Sequence, residues 1–163
     1  GIKPSDNIVK KVREWPETLK TSEEIMQMIG IATYVRRFVP QYSEIIQPIR
    51  DLLKGLVINK KKRYRTDQVN NHVVEWNMEA TNAVRDLKAI LTGENLMLYH
   101  PNFHHPFILE TDASNYQLGA VLLQEYEDGE SKVIMYLSRV LKGPELNYST
   151  TEKEVLSVVW SIK

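Results

Sequence analysis

The chain has 163 residues, of which 42% are hydrophobic, with no cysteine and equal numbers of basic and acidic side chains, 21 of each. This length permits one domain or two small ones with a hydrophobic core, and the lack of cysteine excludes disulfides and cysteine-based zinc sites and suits a reducing compartment. No apolar run approaches the roughly 18 residues of a membrane span, and the N-terminus lacks a signal-peptide pattern, so we expect an intracellular chain with no membrane partner.

The neutral total charge hides two oppositely charged parts. Residues 1–65 hold 14 Lys and Arg against 7 Asp and Glu, whereas residues 66–163 hold 7 against 14. The first part therefore carries +7 and the second −7. Such an imbalance suits a part that binds a polyanion, joined to a part whose carboxylates hold metal ions.

The first 55 residues predict three short amphipathic helices that form a small bundle. Pro4 and Pro16 bracket the first helix. The capping box TSEE at residues 21–24 starts the second helix, which we expect to end at Pro40. Lys54-Gly55 closes the third. The inward apolar positions are Ile8, Val9, Val12, Ile25, Met28, Ile29, Ala32, Val35, Ile45, Ile46, Ile49, Leu52 and Leu53.

Gly30 lies in the middle of the second predicted helix, where glycine costs about 1 kcal/mol relative to alanine. Its presence there indicates a close approach to the helix backbone. The approaching group is either another helix of this chain or an external partner, and the sequence leaves both interpretations open.

A basic segment at residues 56–75 follows the helices. Its clustered cations are Lys60, Lys61, Lys62, Arg63 and Arg65. These side chains suit contacts with a nucleic-acid backbone. A solvated loop is the competing interpretation, because charge runs usually are solvated.

The last part of the chain predicts an α+β arrangement. A helix is expected at residues 78–91, after Trp76, and three strands at residues 107–111, 118–124 and 133–138. A final helix starts at the capping box STTE of residues 149–152. This order predicts a three-stranded antiparallel sheet with a flanking helix.

Two carboxylates of this part are candidate metal ligands. Asp112 is expected at the end of the first strand, and Glu154 lies on a helical stripe with the small residues Ser157 and Ser161, which would let the helix lie close to a sheet. Glu152 has a capping role instead. Mg²⁺ takes oxygen ligands of this kind, although acids near a helix start are also favoured by the helix dipole alone.

Four sequence blocks, in order along the chain, resemble the start of the ribonuclease H region of Gypsy-type LTR retrotransposon polyproteins. The blocks are TDAS (111–114), GAVLLQ (119–124), LSR (137–139) and NYSTTEKE (147–154). The resemblance implies that Asp112 and Glu154 are catalytic ligands of Mg²⁺.

The sequence MQMIGIATYVRRFVPQYSEIIQPIRDLL (26–53) resembles the thumb of Gypsy-type reverse transcriptases. The resemblance implies that Gly30 allows close approach of a primer–template duplex and that Tyr34 packs against a sugar. It also implies that Arg36 or Arg37 contacts phosphate, a contact that positions a duplex without reading its sequence.

We therefore expect a fragment of a retrotransposon reverse transcriptase in three units. These are a thumb-like helical bundle (1–55), a basic linker (56–75), and a connecting helix with an incomplete ribonuclease H-like domain (76–163). The parent would be an RNA-directed DNA polymerase with ribonuclease H activity, located in cytoplasmic virus-like particles or in the nucleus. Polymerase motifs are expected before Gly1 and further aspartates after Lys163, so this chain alone is expected not to catalyse.

A second hypothesis is a non-catalytic nucleic-acid-binding or protein-interaction module derived from a retroelement. Its three-stranded sheet would have an open outer edge at the first strand. An open edge invites pairing with another strand. This hypothesis predicts self-association or a partner chain at that edge.

Overall fold

The computed structural model describes residues 1–54, 73–93 and 96–163. The basic cluster Lys60, Lys61, Lys62, Arg63 and Arg65 lies outside the described residues, as does Gly55.

The described part begins with helices and continues with a three-stranded sheet. The helices are α1 (Asp6–Arg13), α2 (Ser22–Tyr34), α3 (Tyr42–Asp51), α4 (Met78–Leu91) and α5 (Thr150–Ser161). The strands are β1 (Ile108–Ala113), β2 (Gln117–Glu125) and β3 (Ser131–Val140). Short 3-10 turns occupy Arg36–Phe38 and Gly143–Asn147.

Side-chain caps fix where the helices start. The hydroxyl of Thr21 accepts from the N–H of Glu24, while the Glu24 carboxylate accepts from the N–H of Thr21. Ser149 and Glu152 form the same reciprocal pair at the start of α5. Each box satisfies amide groups that the first helical turn leaves unpaired, and both boxes are confirmed.

The expected end of α2 at Pro40 is wrong. The helix stops at Tyr34 and the chain tightens into the 3-10 turn Arg36–Phe38. This turn contacts β3, and Phe38 is 3% exposed. The tighter winding therefore ends the α-helix at a point where Phe38 packs into the core.

A single hydrophobic cluster extends through α1, α2, α3 and α4. Its residues include Val12, Ile25, Ile46, Val84 and Leu87, all fully buried. Helix α4 contacts both α1 and α3. The helices therefore share one core, and the apolar burial is the main stabilising term.

The three strands pair antiparallel in the order β1-β2-β3, as predicted. Each strand is longer than predicted, and Asp112 lies inside β1, paired with Gly119 of β2, rather than after the strand end. The reason is that backbone ladder bonds form whatever the side chain, so pairing continues past the apolar stretch. Gly129 adopts a φ of +79° in the hairpin turn between β2 and β3, a conformation that favours glycine.

The two faces of the sheet are covered by different helices. Asp112 stands opposite Gly119, and Gly119 opposite Ser138, which hydrogen-bonds to Ser43 of α3. The next residue of β3, Arg139, points to the other face and stacks on Trp160 of α5. Cross-strand partners share a face, so α3 lies on one face and α5 on the other.

The architecture is the predicted α+β fold, a small helical bundle followed by a three-stranded antiparallel sheet with a flanking helix. The division at residues 55 and 75 stays a prediction. No helix within the described ranges is long and apolar enough to cross a membrane.

Candidate functional site

A pocket of about 300 Å³ lies between the α3 face of the sheet and the start of α3. Its carboxylates come from Glu44 of α3 and from Glu110 and Asp112 of β1. Gln117 of β2 also lines it and donates from Nε2 to Glu44 Oε2 at 2.9 Å. The pocket is thus acidic and joins the helical bundle to the sheet.

Asp112 is exposed at this pocket. Its Oδ1 accepts a 2.9 Å hydrogen bond from the N–H of Ala113, which orients the carboxylate. An exposed carboxylate oriented by the backbone is a suitable ligand for a hard cation.

Glu154 is exposed on α5, while Ser157, one turn further, is 1% exposed. The Ser157 hydroxyl donates to the carbonyl of Glu154 at 2.6 Å, and α5 contacts β1 and β2. The small side chain of Ser157 therefore does let the helix lie close to the sheet.

The structure does not bring Asp112 and Glu154 into one pocket. Asp112 lines the pocket on the α3 face, whereas Glu154 belongs to the helix on the opposite face and is not among the lining residues. Within the described ranges, no group of three or more His, Cys, Asp or Glu side chains is placed to hold a metal ion. The shared-metal assignment stays a prediction.

Gly30 and Tyr34 form an open stripe on α2. A Cβ placed on Gly30 would meet no atom within 4 Å, and Tyr34, one turn further, is 75% exposed. The described part of the chain therefore gives Gly30 no helix-on-helix contact, and the open space above it suits an external partner.

Arg36 and Arg37 are exposed just beyond this stripe. The Arg37 guanidinium lies 5.1 Å from the ring centroid of Phe38, a cation–π contact that holds it while leaving it accessible. An exposed cationic surface, which we call the α2 surface, is formed by Gly30, Tyr34, Arg36 and Arg37.

Sequence reasoning missed Glu44 and Gln117. Glu44 lies in the first turn of α3, where the helix dipole favours any acid, and Gln117 is the first residue of β2. They meet across 73 positions of sequence, so no local pattern marks either one as part of a pocket.

The helices and the three-stranded antiparallel sheet match an RNase H-like fold. Residues 76–163 match the sequence profile described as "RNase H-like domain found in reverse transcriptase". The chain belongs to this family.

Curated relatives match along nearly the whole chain. The Pol polyprotein of transposon gypsy from Drosophila melanogaster is 36% identical over 167 residues, covering 99% of this chain and 15% of the relative. The transposon Tf2-3 polyprotein of Schizosaccharomyces pombe is 31% identical, covering 100% of this chain and 11% of the relative. This chain thus corresponds to a small part of those polyproteins.

Solved structures share the fold. The foamy viral protease-reverse transcriptase dRH in complex with double-stranded DNA superposes with a TM-score of 0.75 at 21% identity, covering 99% of this chain and 25% of that one. The foamy viral protease-reverse transcriptase with an RNA/DNA hybrid gives a TM-score of 0.71 at 20% identity, covering 97% of this chain and 19% of that one.

Proposed function

We propose that this chain is the part of a retrotransposon reverse transcriptase/ribonuclease H that grips a primer–template duplex or an RNA–DNA hybrid. The observation that carries the proposal is the α2 surface, where Gly30 has open space above it and Tyr34 is 75% exposed. Solved proteins with this fold were captured with double-stranded DNA and with an RNA/DNA hybrid, which supports a nucleic-acid partner.

The chemistry of the α2 surface suits the sugar–phosphate backbone. Gly30 lets a strand approach the helix closely. Tyr34 offers an exposed apolar ring to a sugar, and Arg36 and Arg37 offer charge-assisted hydrogen bonds to phosphate oxygens. Contacts of this kind position a duplex without reading its bases, as a copying enzyme requires. This surface supports the thumb assignment.

We further assign Asp112 and Glu154 as two of the Mg²⁺ ligands of the complete enzyme. Their positions in the TDAS and NYSTTEKE blocks support the assignment. Two-metal phosphodiester hydrolysis needs roughly four carboxylates, and the described residues do not assemble such a set. The part of the chain that the structure describes therefore does not form a complete metal centre.

A binding experiment tests whether the α2 surface contacts a duplex. The chain is titrated into a labelled RNA–DNA hybrid, and fluorescence anisotropy is read at several salt concentrations. The double variant R36Q/R37Q is expected to bind more weakly and to reduce the slope of log affinity against log salt by about 2, since each lost phosphate contact removes about 0.9. The control K10Q/K11Q removes the same charge from exposed positions of α1 and retains the slope. Equal salt slopes for R36Q/R37Q and K10Q/K11Q would show that the α2 surface does not contact the phosphates.

A cleavage assay tests the catalytic part. The chain with a labelled hybrid and Mg²⁺ is expected to cleave poorly, because the described residues do not bring together the roughly four carboxylates that two-metal hydrolysis needs. Robust cleavage that Asp112→Asn abolishes would show that the chain is a complete nuclease.

The β1 edge favours a second candidate function, a non-catalytic interaction module. β1 is an edge strand, its first residue Ile108 is 37% exposed, and Phe107 just before it is 39% exposed. An exposed edge with apolar side chains accepts another strand. Light scattering over a wide concentration range is expected to show self-association, and a monomer throughout would rule out self-pairing at this edge.

A further inference from the structure

Arg139 of β3 makes a two-pronged ion pair with Glu145 of the 3-10 turn Gly143–Asn147. Arg139 Nη1 lies 2.8 Å from Glu145 Oε1, and Nη2 lies 3.0 Å from Oε2. The two side chains are 22% and 20% exposed, so water screens the pair less than an exposed one. The planar guanidinium matches the carboxylate in both distance and direction.

The same guanidinium contacts the far end of α5. The Arg139 Cζ lies 5.6 Å from the ring centroid of Trp160, in the last turn of the helix. Glu145, in turn, stands four residues before the N-cap Ser149 and accepts a 2.9 Å hydrogen bond from the N–H of Lys142. One side chain of the sheet thus holds both the turn that leads into α5 and the last turn of α5.

The two contacts of Arg139 restrain α5 in addition to its packing on β1 and β2. The leading turn limits sliding of α5 along its axis, and the stacked Trp160 limits rotation about it, because a rotation of one residue, about 100°, would carry the ring away from Arg139. The small Ser157 between them is 1% exposed against the sheet and provides no side-chain anchor of its own beyond its bond to the Glu154 carbonyl.

We propose that Arg139 is a positioning residue that sets the placement of α5 on the sheet and thereby the position of the Glu154 carboxylate. The placement of α5 by Arg139 does not depend on the function of the chain. The consequence for the Glu154 carboxylate rests on the proposed function, since it matters only if Glu154 is a metal ligand.

The substitution R139K distinguishes a role of the Arg139 side-chain shape from a role of its positive charge. Lysine retains the positive charge of Arg139 but has no planar fork for Glu145 and no flat group for Trp160. A matched control exists in Arg85, which bonds both carboxylate oxygens of Glu17 at 3.2 and 3.0 Å on the outside of α4, with side chains 55% and 52% exposed. R85K removes the same kind of pair between α4 and the segment that follows α1.

The experiment measures the placement of α5 directly. The chain has no cysteine, so V155C on the exposed side of α5 and E125C at the exposed end of β2 give one pair of spin labels whose distance distribution is read by pulsed electron resonance. R139K is expected to shift the mean by about 1.5 Å or more, the rise of one helical residue, or to broaden the distribution, while R85K leaves it unchanged.

An unchanged distribution in R139K, with the fold intact by circular dichroism, overturns the proposal. Should R139K not fold, E145Q removes the carboxylate that Arg139 binds and is judged by the same label distances. The label distance does not depend on metal or nucleic acid. The role of Arg139 can therefore be confirmed even if Asp112 and Glu154 are not metal ligands. Conversely, an unchanged label distance would not affect the result of the duplex-binding experiment.

Discussion

The backbone N–H of Ser43, at the start of α3, donates a 2.9 Å hydrogen bond to the hydroxyl of Ser138 in β3, which donates to the Ser43 hydroxyl at 3.0 Å. Ser43 is 6% exposed, so water does not readily replace these bonds. The pair joins the helical bundle to the sheet over 95 positions of sequence.

Ser138→Ala is expected to lower the free energy of unfolding by about 1–3 kcal/mol, because it leaves the buried N–H of Ser43 without a partner. Urea denaturation measures the change. Ser131→Ala, at the exposed start of the same strand, is the control and is expected to stay within about 0.5 kcal/mol of the unchanged chain. Equal effects of the two substitutions would contradict the role of the Ser43–Ser138 pair.

Gly30→Ala is expected to separate stability from binding. The position is exposed, helical and open, so alanine raises the free energy of unfolding by about 0.5–1 kcal/mol. The added methyl group obstructs a closely approaching strand, so the affinity for a duplex is expected to fall. Asn82→Ala, at an exposed position of α4, is the control, which gains helix propensity without a loss of affinity. A Gly30→Ala variant that binds as tightly as the unchanged chain argues against close approach at α2.

Glu145 is expected to make stability depend on acid pH. Hydrogen bonds from Arg139, and then from the N–H of Lys142, lower the pKa of this carboxyl from 4.5 to about 2. A carboxyl whose pKa is lower in the folded chain adds stability that is present above its unfolded pKa and is lost as the pH falls through the folded value. The free energy of unfolding is therefore expected to decline between pH 4.5 and about 2.

Glu145→Gln removes this titrating group, so its decline over the same pH window is expected to be shallower. Chemical denaturation across that window measures both slopes. Arg139→Met leaves the carboxyl without its main partner and is expected to flatten the profile similarly. Parallel profiles for all three chains would show that the ion pair does not contribute to acid sensitivity.

Gln124→Leu is expected to lower the free energy of unfolding by about 1–2 kcal/mol. The amide of Gln124, 1% exposed, accepts from the N–H of Asn102 and donates to the carbonyls of Asn102 and His105, at 2.8, 2.8 and 3.1 Å. Leucine would remove the partner of the Asn102 N–H and of the His105 carbonyl, whereas the Asn102 carbonyl still accepts from the N–H of His105. Thermal unfolding measures the loss, and faster hydrogen exchange at Asn102 locates it. Gln27→Leu, exposed on α2, should show no comparable loss.

Local sequence patterns predicted the helix starts well and the strand ends poorly. Helix α4 has the predicted bounds because its apolar stripe begins just after the cap Asn77 and stops where Gly93 follows. The strands were predicted too short, since Asp112 and Arg139 break the apolar pattern while their backbones continue the ladder. Backbone pairing depends on the neighbouring strand, which a local pattern does not contain.

The candidate site was predicted in part. The sequence identified Gly30 as unusual, and the structure decides against a helix-on-helix contact within its described ranges. Asp112 was identified from its motif, but its neighbours Glu44 and Gln117 come from distant elements that meet only after folding. Patterns of three or four residues cannot encode such a meeting.

The central place of α4 in the shared core has a practical consequence. The family match begins at residue 76, yet Ala80, Ala83, Val84 and Leu87 in this helix are covered by side chains from residues 1–54. A recombinant fragment that starts at residue 76 would expose this hydrophobic face of α4 to solvent. We expect such a fragment to precipitate or to associate with chaperones. The RNase H-like part should therefore be expressed together with the preceding helices.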